Sequence, residues 1–162
     1  MKFLVIGHGR HGKDTVSEFL QKYGGYSFVS SSEFAAHKVL YPTMEDEYNC
    51  WWDCFKDRHN HRGHWFKTIA EYCKEDPSRL TQEILGQYDI YCGMRNRVEL
   101  EASRHLFDLV IWVERPNTPN EDPQSISVMR SDADIVIYND GDLRDLEIKV
   151  YNLLRLKGEC RV

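Results

Sequence analysis

Apolar positions along the chain fall into short continuous runs that alternate with helix-spaced patterns. Phe3 to Ile6 is an uninterrupted apolar run, as expected of a strand buried on both faces. From Lys13 to Tyr23 the pattern turns helical, with Val16, Phe19 and Leu20 at i, i+3 and i+4 on one face. Gly24-Gly25 predicts a left-handed stop to that helix. Tyr26 to Val29 reads as a second strand, and Ser30 to Glu33 has the Ser-x-x-Glu spacing of a capping box opening a helix through Phe34 to Leu40.

Between Tyr41 and Gly86 no strand pattern occurs. Pro42 breaks the chain, Glu45 to Asp57 and His64 to Lys74 read as helices, and Asp76-Pro77 predicts another helix start. Strand runs return at Asp89 to Cys92, Leu109 to Val113 and Ile135 to Tyr138. A helix at about Arg97 to Phe107 and a loop carrying Pro116, Pro119 and Pro123 lie between them, and a last helix spans Leu143 to Leu156. Five strands separated by helices imply an α/β fold with a parallel sheet covered on both faces. One domain over 1–162 with a helical insertion is the expected organisation.

Composition changes this picture little. The five cysteines (Cys50, Cys54, Cys73, Cys92, Cys160) are odd in number and lack a framework spacing, so reduced thiols in a cytoplasmic setting are expected. No apolar run reaches the length of a membrane span, and no membrane partner is expected. The net charge of −5 argues against a general affinity for nucleic acid but leaves room for a local basic pocket.

The sharpest chemistry sits between the first strand and the first helix. Gly7-His8-Gly9-Arg10-His11-Gly12-Lys13 fits G-x-x-x-x-G-K in the context that motif requires. Backbone amides of such a loop form an anion-binding concavity, reinforced by the positive end of the following helix. Lys13 would follow the charge of the transferred phosphoryl group. A chance glycine turn is the bland alternative. After the lysine the usual Ser or Thr is replaced by Asp14, with Thr15 next. Asp14 is the first candidate for a Mg²⁺ oxygen ligand and Thr15 the second.

Gly-Lys-Asp-Thr resembles the loop of bacteriophage deoxynucleoside monophosphate kinases and of some related small-metabolite kinases. The resemblance extends to Asp89–Arg95 with Glu99, similar to the third-strand segment of those enzymes, and to Phe107–Val113, similar to their fourth strand. Ala133–Gly141 is similar to their fifth strand and to the loop that lies against the nucleotide base. It implies a P-loop fold with strand order 2-3-1-4-5, a helical acceptor-binding insertion at about 41–86 and a mobile lid at about 114–130. ATP and Mg²⁺ would be the cofactors and a small-molecule nucleotide the partner, in the host cytoplasm if the chain is phage-encoded; a homodimer is left open.

On that template Gly7, Gly9, Arg10, His11, Gly12, Lys13, Asp14, Thr15, Asn139 and Gly141 would bind the phosphate donor. Ser31, Ser32, Glu33 and Phe34 would border the acceptor pocket. Arg95 would clamp the acceptor phosphate or the transferring group, unless it merely pairs with Glu99 one helical turn on. Related kinases often carry an acidic residue two before this arginine, where this chain has Gly93; Asp89 lies at the other end of the strand and cannot replace it.

Arg58 and Arg62 stand among Lys56, His59, His61 and His64, and their guanidinium forks suit phosphate; a solvated basic helix end is the alternative. Cys50, Cys54 and these histidines match neither standard zinc-finger spacing, so buried cysteines beside a wet histidine loop are favoured. Trp51, Trp52 and Trp65 read as core and pocket wall more readily than as a base-stacking stripe. Arg115 and, less so, Arg130 would close over the phosphates as lid arginines.

The expected reaction is transfer of the ATP γ-phosphoryl group to a deoxynucleoside monophosphate, with Lys13, Arg95 and Arg115 as catalytic residues. No general base stands out, which suits an acceptor that is already an anion. Two alternatives remain: a kinase acting on a hydroxymethylated pyrimidine in DNA, and an ATP-binding regulatory module with little turnover.

Overall fold

β1 (Phe3–Ile6) is buried along its whole length, and its alternate side chains feed two different cores. Phe3 and Val5 point to the face covered by α1 (Lys13–Gly24) and α7 (Leu143–Leu156), where Val16, Leu20, Leu146, Val150 and Leu154 pack. Leu4 and Ile6 point to the other face, beneath the helical insertion. A computed structural model describes this arrangement for residues 1–161.

The other strands are β2 (Phe28–Ser30), β3 (Ile90–Cys92), β4 (Leu109–Glu114) and β5 (Ile135–Tyr138). They form one parallel sheet in the order β2-β3-β1-β4-β5. β1 is central, with Val5 opposite Cys92 on one side and Ile111 on the other. The order reverses at β1, between β3 and β4. Ligands of open α/β sheets sit at such a switch point, beyond the carboxyl ends of the strands.

The insertion differs in detail from its pattern. α2 (Ser31–Ala35) starts where the capping spacing puts it, with the Ser30 hydroxyl accepting from the Glu33 amide at 3.2 Å. Instead of continuing evenly to Leu40, the helix widens into a π turn over Ala36–Leu40, in which the Tyr41 amide donates to the Ala36 carbonyl. Pro42 has no N–H to donate, and the chain tightens to a 3₁₀ turn at Tyr41–Thr43. The helix expected over Glu45 to Asp57 is formed only as α3 (Trp51–Lys56). Before it, buried Met44 anchors turns, and the Tyr48 hydroxyl reaches Asp57 at 2.6 Å. α4 (Arg62–Tyr72), α5 (Arg79–Leu85) and α6 (Arg97–Ser103) complete the helices. None of the helices in the described residues is long and apolar enough to cross a membrane.

The segment expected to be a mobile lid is docked. Its Ile126 and Val128 are buried in the insertion-side core. The Ser127 amide donates to the Arg95 carbonyl at 2.8 Å, and the Arg97 amide donates to the Ser127 hydroxyl at 2.8 Å. Arg97 also forms a two-armed pair with Asp132, one arm at 2.9 Å. The segment therefore lies across the carboxyl edge of the sheet.

Candidate active site

The loop between β1 and α1 has the backbone of an anion cradle. Gly7 and Gly12 take φ values of 150° and 102°, and Arg10 enters the left-handed region at 65°. A side chain on Gly7 would stand 2.5 Å from the Val113 carbonyl oxygen, so only glycine lets the loop pass β4 this closely. Gly12 caps α1 without any side-chain hydrogen bond, so the amides of the first turn stay free to meet an anion. Lys13 Nζ donates to the His8 carbonyl at 2.8 Å, folding back over the loop. Burial, then the Arg95 charge, pulls its pKa below the ordinary lysine value against the raising influence of nearby acidic groups.

Two histidines tie this loop to the ends of the neighbouring strands. His11 is fully buried; its Nδ1 accepts from the Arg115 amide at 3.0 Å, while its carbonyl accepts from Asn139 Nδ2 at 3.1 Å. His11 Nε2 has no partner among the described residues. His8 Nδ1 accepts from the Glu121 amide at 3.2 Å, and its ring meets Trp112 edge to face at 5.4 Å. Burial, then His11, holds the His8 pKa down, so its ring stays neutral and can accept.

Asn139 and Arg115, expected as ligand contacts, thus reach the loop as supports. The Arg115 side chain is exposed and makes no hydrogen bond among the described residues. Gly141 is exposed, and a side chain there would collide with Asp145, which caps α7. Arg130 lies over the Tyr138 ring at 5.4 Å.

For a metal, Asp14 offers the best donor. It lies exposed on the first turn of α1, and Oδ1 accepts from the Cys92 thiol at 3.4 Å. That thiol is buried and its pKa is pushed up to about 12, chiefly by burial and by Asp14, so it is a neutral donor. Thr15 is half-buried in the same turn. Gly93 explains why no carboxylate ends β3. Its φ is 99°, a Cβ would meet Ser31 Oγ at 3.3 Å, and its carbonyl accepts from that hydroxyl at 3.2 Å. Asp89 sits at the opposite end of the strand, paired with Lys2 at 3.1 Å.

A carboxylate does reach the loop, from the segment after β4. Glu121 Oε1 accepts from Arg95 Nη1 at 2.7 Å and lies where a Cβ on Gly9 would be 3.1 Å away. Burial tends to raise the Glu121 pKa, but Arg95, the Gly9 amide and Lys13 hold it below the usual glutamate value. Its Oε2 is buried without a partner among the described residues. Neither His8 nor Glu121 stands out in sequence. The histidine is a variable position of the motif, and the glutamate lies in a Pro-rich stretch without periodicity.

Beside the loop opens a cavity of about 550 Å³, walled by Trp65, Phe66, Ile69, Leu80, Tyr91, Val98 and Ile126. Ser31, Ser32, Arg95 and Glu99 also line it, as expected of acceptor-side residues. Phe34 does not; it is 5% exposed and packs in the core, because it falls on the inward face of α2. Arg58 and Arg62 do not line it either. Arg58 lies over the Phe55 ring at 4.0 Å and donates to the Phe55 carbonyl, while Arg62 is exposed against His59. Both are held by contacts within the α3–α4 turn. Glu33 is half-buried outside the lining. In the same turn His61 pairs with Asp57 at 3.0 Å and Cys54 is buried, and no group of three or more metal-ligating side chains gathers among the described residues.

No protein-family model matches the chain, and no curated protein sequence does. Shikimate kinase from Aquifex aeolicus is similar in structure at a TM-score of 0.52 and 14% identity, over 98% of this chain and 97% of that one. The fold is that of a P-loop kinase. An unliganded sugar kinase from Janibacter sp. HTCC2649 is similar at a TM-score of 0.48 and 15% identity, over 98% of this chain and 94% of that one. At 14% identity the likeness to the shikimate kinase concerns the fold alone.

Proposed function

We propose that this P-loop kinase fold transfers the γ-phosphoryl group of Mg-ATP to the 5′-phosphate of a deoxynucleoside monophosphate. The observation that carries the reading is a mostly apolar cavity whose one arginine, Arg95, stands beside the phosphate loop. An aromatic base fits walls of Trp65, Phe66 and Val98, and its phosphate would meet Arg95. The choice of a deoxynucleotide rests on the loop and strand segments that resemble phage kinases.

The chemistry needs position and charge more than a base. An oxygen of the acceptor phosphate bonds to the γ-phosphorus as the bond to the β,γ-bridging oxygen breaks, and ADP leaves. The loop amides, the Lys13 ammonium and Arg95 hold the negative charge spread over the transferring group. Arg115, unpaired at the carboxyl end of β4, is free to swing toward the same charge. Magnesium, when bound, neutralises part of the charge on the phosphates. The oxygens of Asp14 suit it best and the Thr15 hydroxyl next.

A second reading has one observation in its favour. Glu121 is an ionised carboxylate with a free oxygen beside the loop, and a hydroxyl acceptor, such as a hydroxymethylated pyrimidine, needs such a group to take its proton. Coupled ADP release with a panel of deoxynucleoside monophosphates, with hydroxymethylated duplex DNA, and with no acceptor separates these readings. Release with free monophosphates supports the first. Release with DNA alone supports the second, and acceptor-independent release alone removes both.

A further inference from the structure

Among the described residues Glu99 is the one carboxylate lining a mostly apolar cavity, and its two oxygens are treated unequally. Oε1 accepts from the Tyr91 hydroxyl at 2.8 Å and from the Thr81 hydroxyl at 3.0 Å. Both hydroxyls are thereby spent, and Thr81 is itself fully buried. Oε2 takes no hydrogen bond among the described residues, yet it is not among their sealed, unpartnered polar atoms. Glu99 is half-buried and lines the cavity. The α6 cap contributes nothing to Oε2, because Asn96 already holds the first amides of that helix, at 2.8 and 3.3 Å. Burial raises the Glu99 pKa, and the hydrogen bonds from Tyr91 and Thr81 offset that only in part.

Resting on the proposed nucleotide acceptor, we infer that Glu99 reads the acceptor base through Oε2 and selects a base edge with two adjacent N–H donors, the pattern of guanine. A carboxylate only accepts. Guanine presents a ring N–H next to an exocyclic amino group, two side-by-side donors that can share one carboxylate oxygen. Cytosine and adenine present an amino group beside a ring lone pair, which faces the carboxylate with like charge. Thymine presents its single ring N–H between two carbonyl oxygens, which do the same on both sides. Exposed Phe66 and Val98 at the cavity lip supply apolar surface for the faces of the ring.

The test is equilibrium binding of dGMP, dIMP, dAMP, dCMP and dTMP to the wild-type protein, followed by the same series with Glu99→Gln. dIMP keeps the ring N–H but lacks the exocyclic amino group, so it isolates one donor without altering the protein. We expect dGMP to bind about ten- to a hundredfold more tightly than dIMP, the effect of one hydrogen bond to a charged group, and more tightly than the other three. Glutamine keeps an oxygen for Tyr91 and Thr81 but turns the free position into a donor, so the variant loses the preference. Equal binding of dGMP and dIMP overturns the inference, as does a guanine preference that survives Glu99→Gln. If monophosphates bind and turn over without base preference, only this inference falls. If no monophosphate binds, the nucleotide reading falls and the inference falls with it.

Discussion

The Glu121 carboxylate is held by Arg95 at 2.7 Å, against the Gly9 turn of the phosphate loop. An anion of the protein itself therefore occupies the partner that an acceptor phosphate would use. Replacing Glu121 by glutamine frees Arg95 without changing the shape of the side chain. Affinity for ATP and for inorganic phosphate should then rise several-fold in titration calorimetry, since one competing charge is gone. A fall of a hundredfold or more in acceptor-dependent rate at unchanged affinity would instead mark Glu121 as the base of a hydroxyl-phosphorylating enzyme.

The Lys13 ammonium makes one hydrogen bond among the described residues, to the His8 carbonyl, and its charge is the part of the loop that follows the transferring group. Lys13→Ala should lower the transfer rate by at least about a thousandfold. Its thermal unfolding curve should stay close to that of the parent. Retained turnover would refute the loop assignment.

Asp14 and Thr15 divide the metal question. Asp14→Asn should shift the Mg²⁺ concentration needed for half-maximal rate upward by about tenfold or more, whereas Thr15→Ala should shift it little. Unchanged Mg²⁺ dependence in Asp14→Asn removes that residue from its role.

The supports of the loop are testable apart from its ligands. His11→Ala leaves the Arg115 amide without its acceptor and opens a void under the loop. It should cost about 1–3 kcal/mol of stability, measured by urea unfolding, and weaken ATP binding in the same protein. A loss of ATP affinity with no loss of stability would argue that His11 touches the nucleotide directly.

Glu99 gives a pH signature. Its folded pKa lies above the ordinary value of 4.5 because of burial, so the folded state binds the proton more tightly than the unfolded chain. Stability from this group is greatest below the unfolded pKa and declines as pH rises through the folded pKa. Glu99→Gln should therefore be the more stable protein at neutral pH, and its advantage should vanish near pH 4. A pH-independent difference in melting temperature would contradict this.

The strands and the loop were legible because both depend on local pattern, whereas the strand order came only from the resemblance that the loop and strand segments carry. The apolar run at Phe3–Ile6 and the glycines at 7 and 12 leave few alternatives, and the observed sheet order is the expected one. The insertion was less legible. Met44 is buried in the insertion-side core and Tyr48 is drawn to Asp57, so the helix expected before Trp51 yields to turns. Phe34 was placed on the pocket by the family template, and Arg58 and Arg62 by residue type, but neither tells which face of a short helix points inward. Glu121 and His8 went unnoticed for a related reason. What makes them functional candidates is an approach between segments over a hundred residues apart, which no periodicity encodes.

The central claim is acceptor-dependent phosphotransfer, and ADP release coupled to acceptor addition measures it most directly. The account predicts release that requires Mg-ATP, appears with deoxynucleoside monophosphates, is fastest with dGMP and disappears in Lys13→Ala. Release that proceeds at the same slow rate with and without every monophosphate would contradict it.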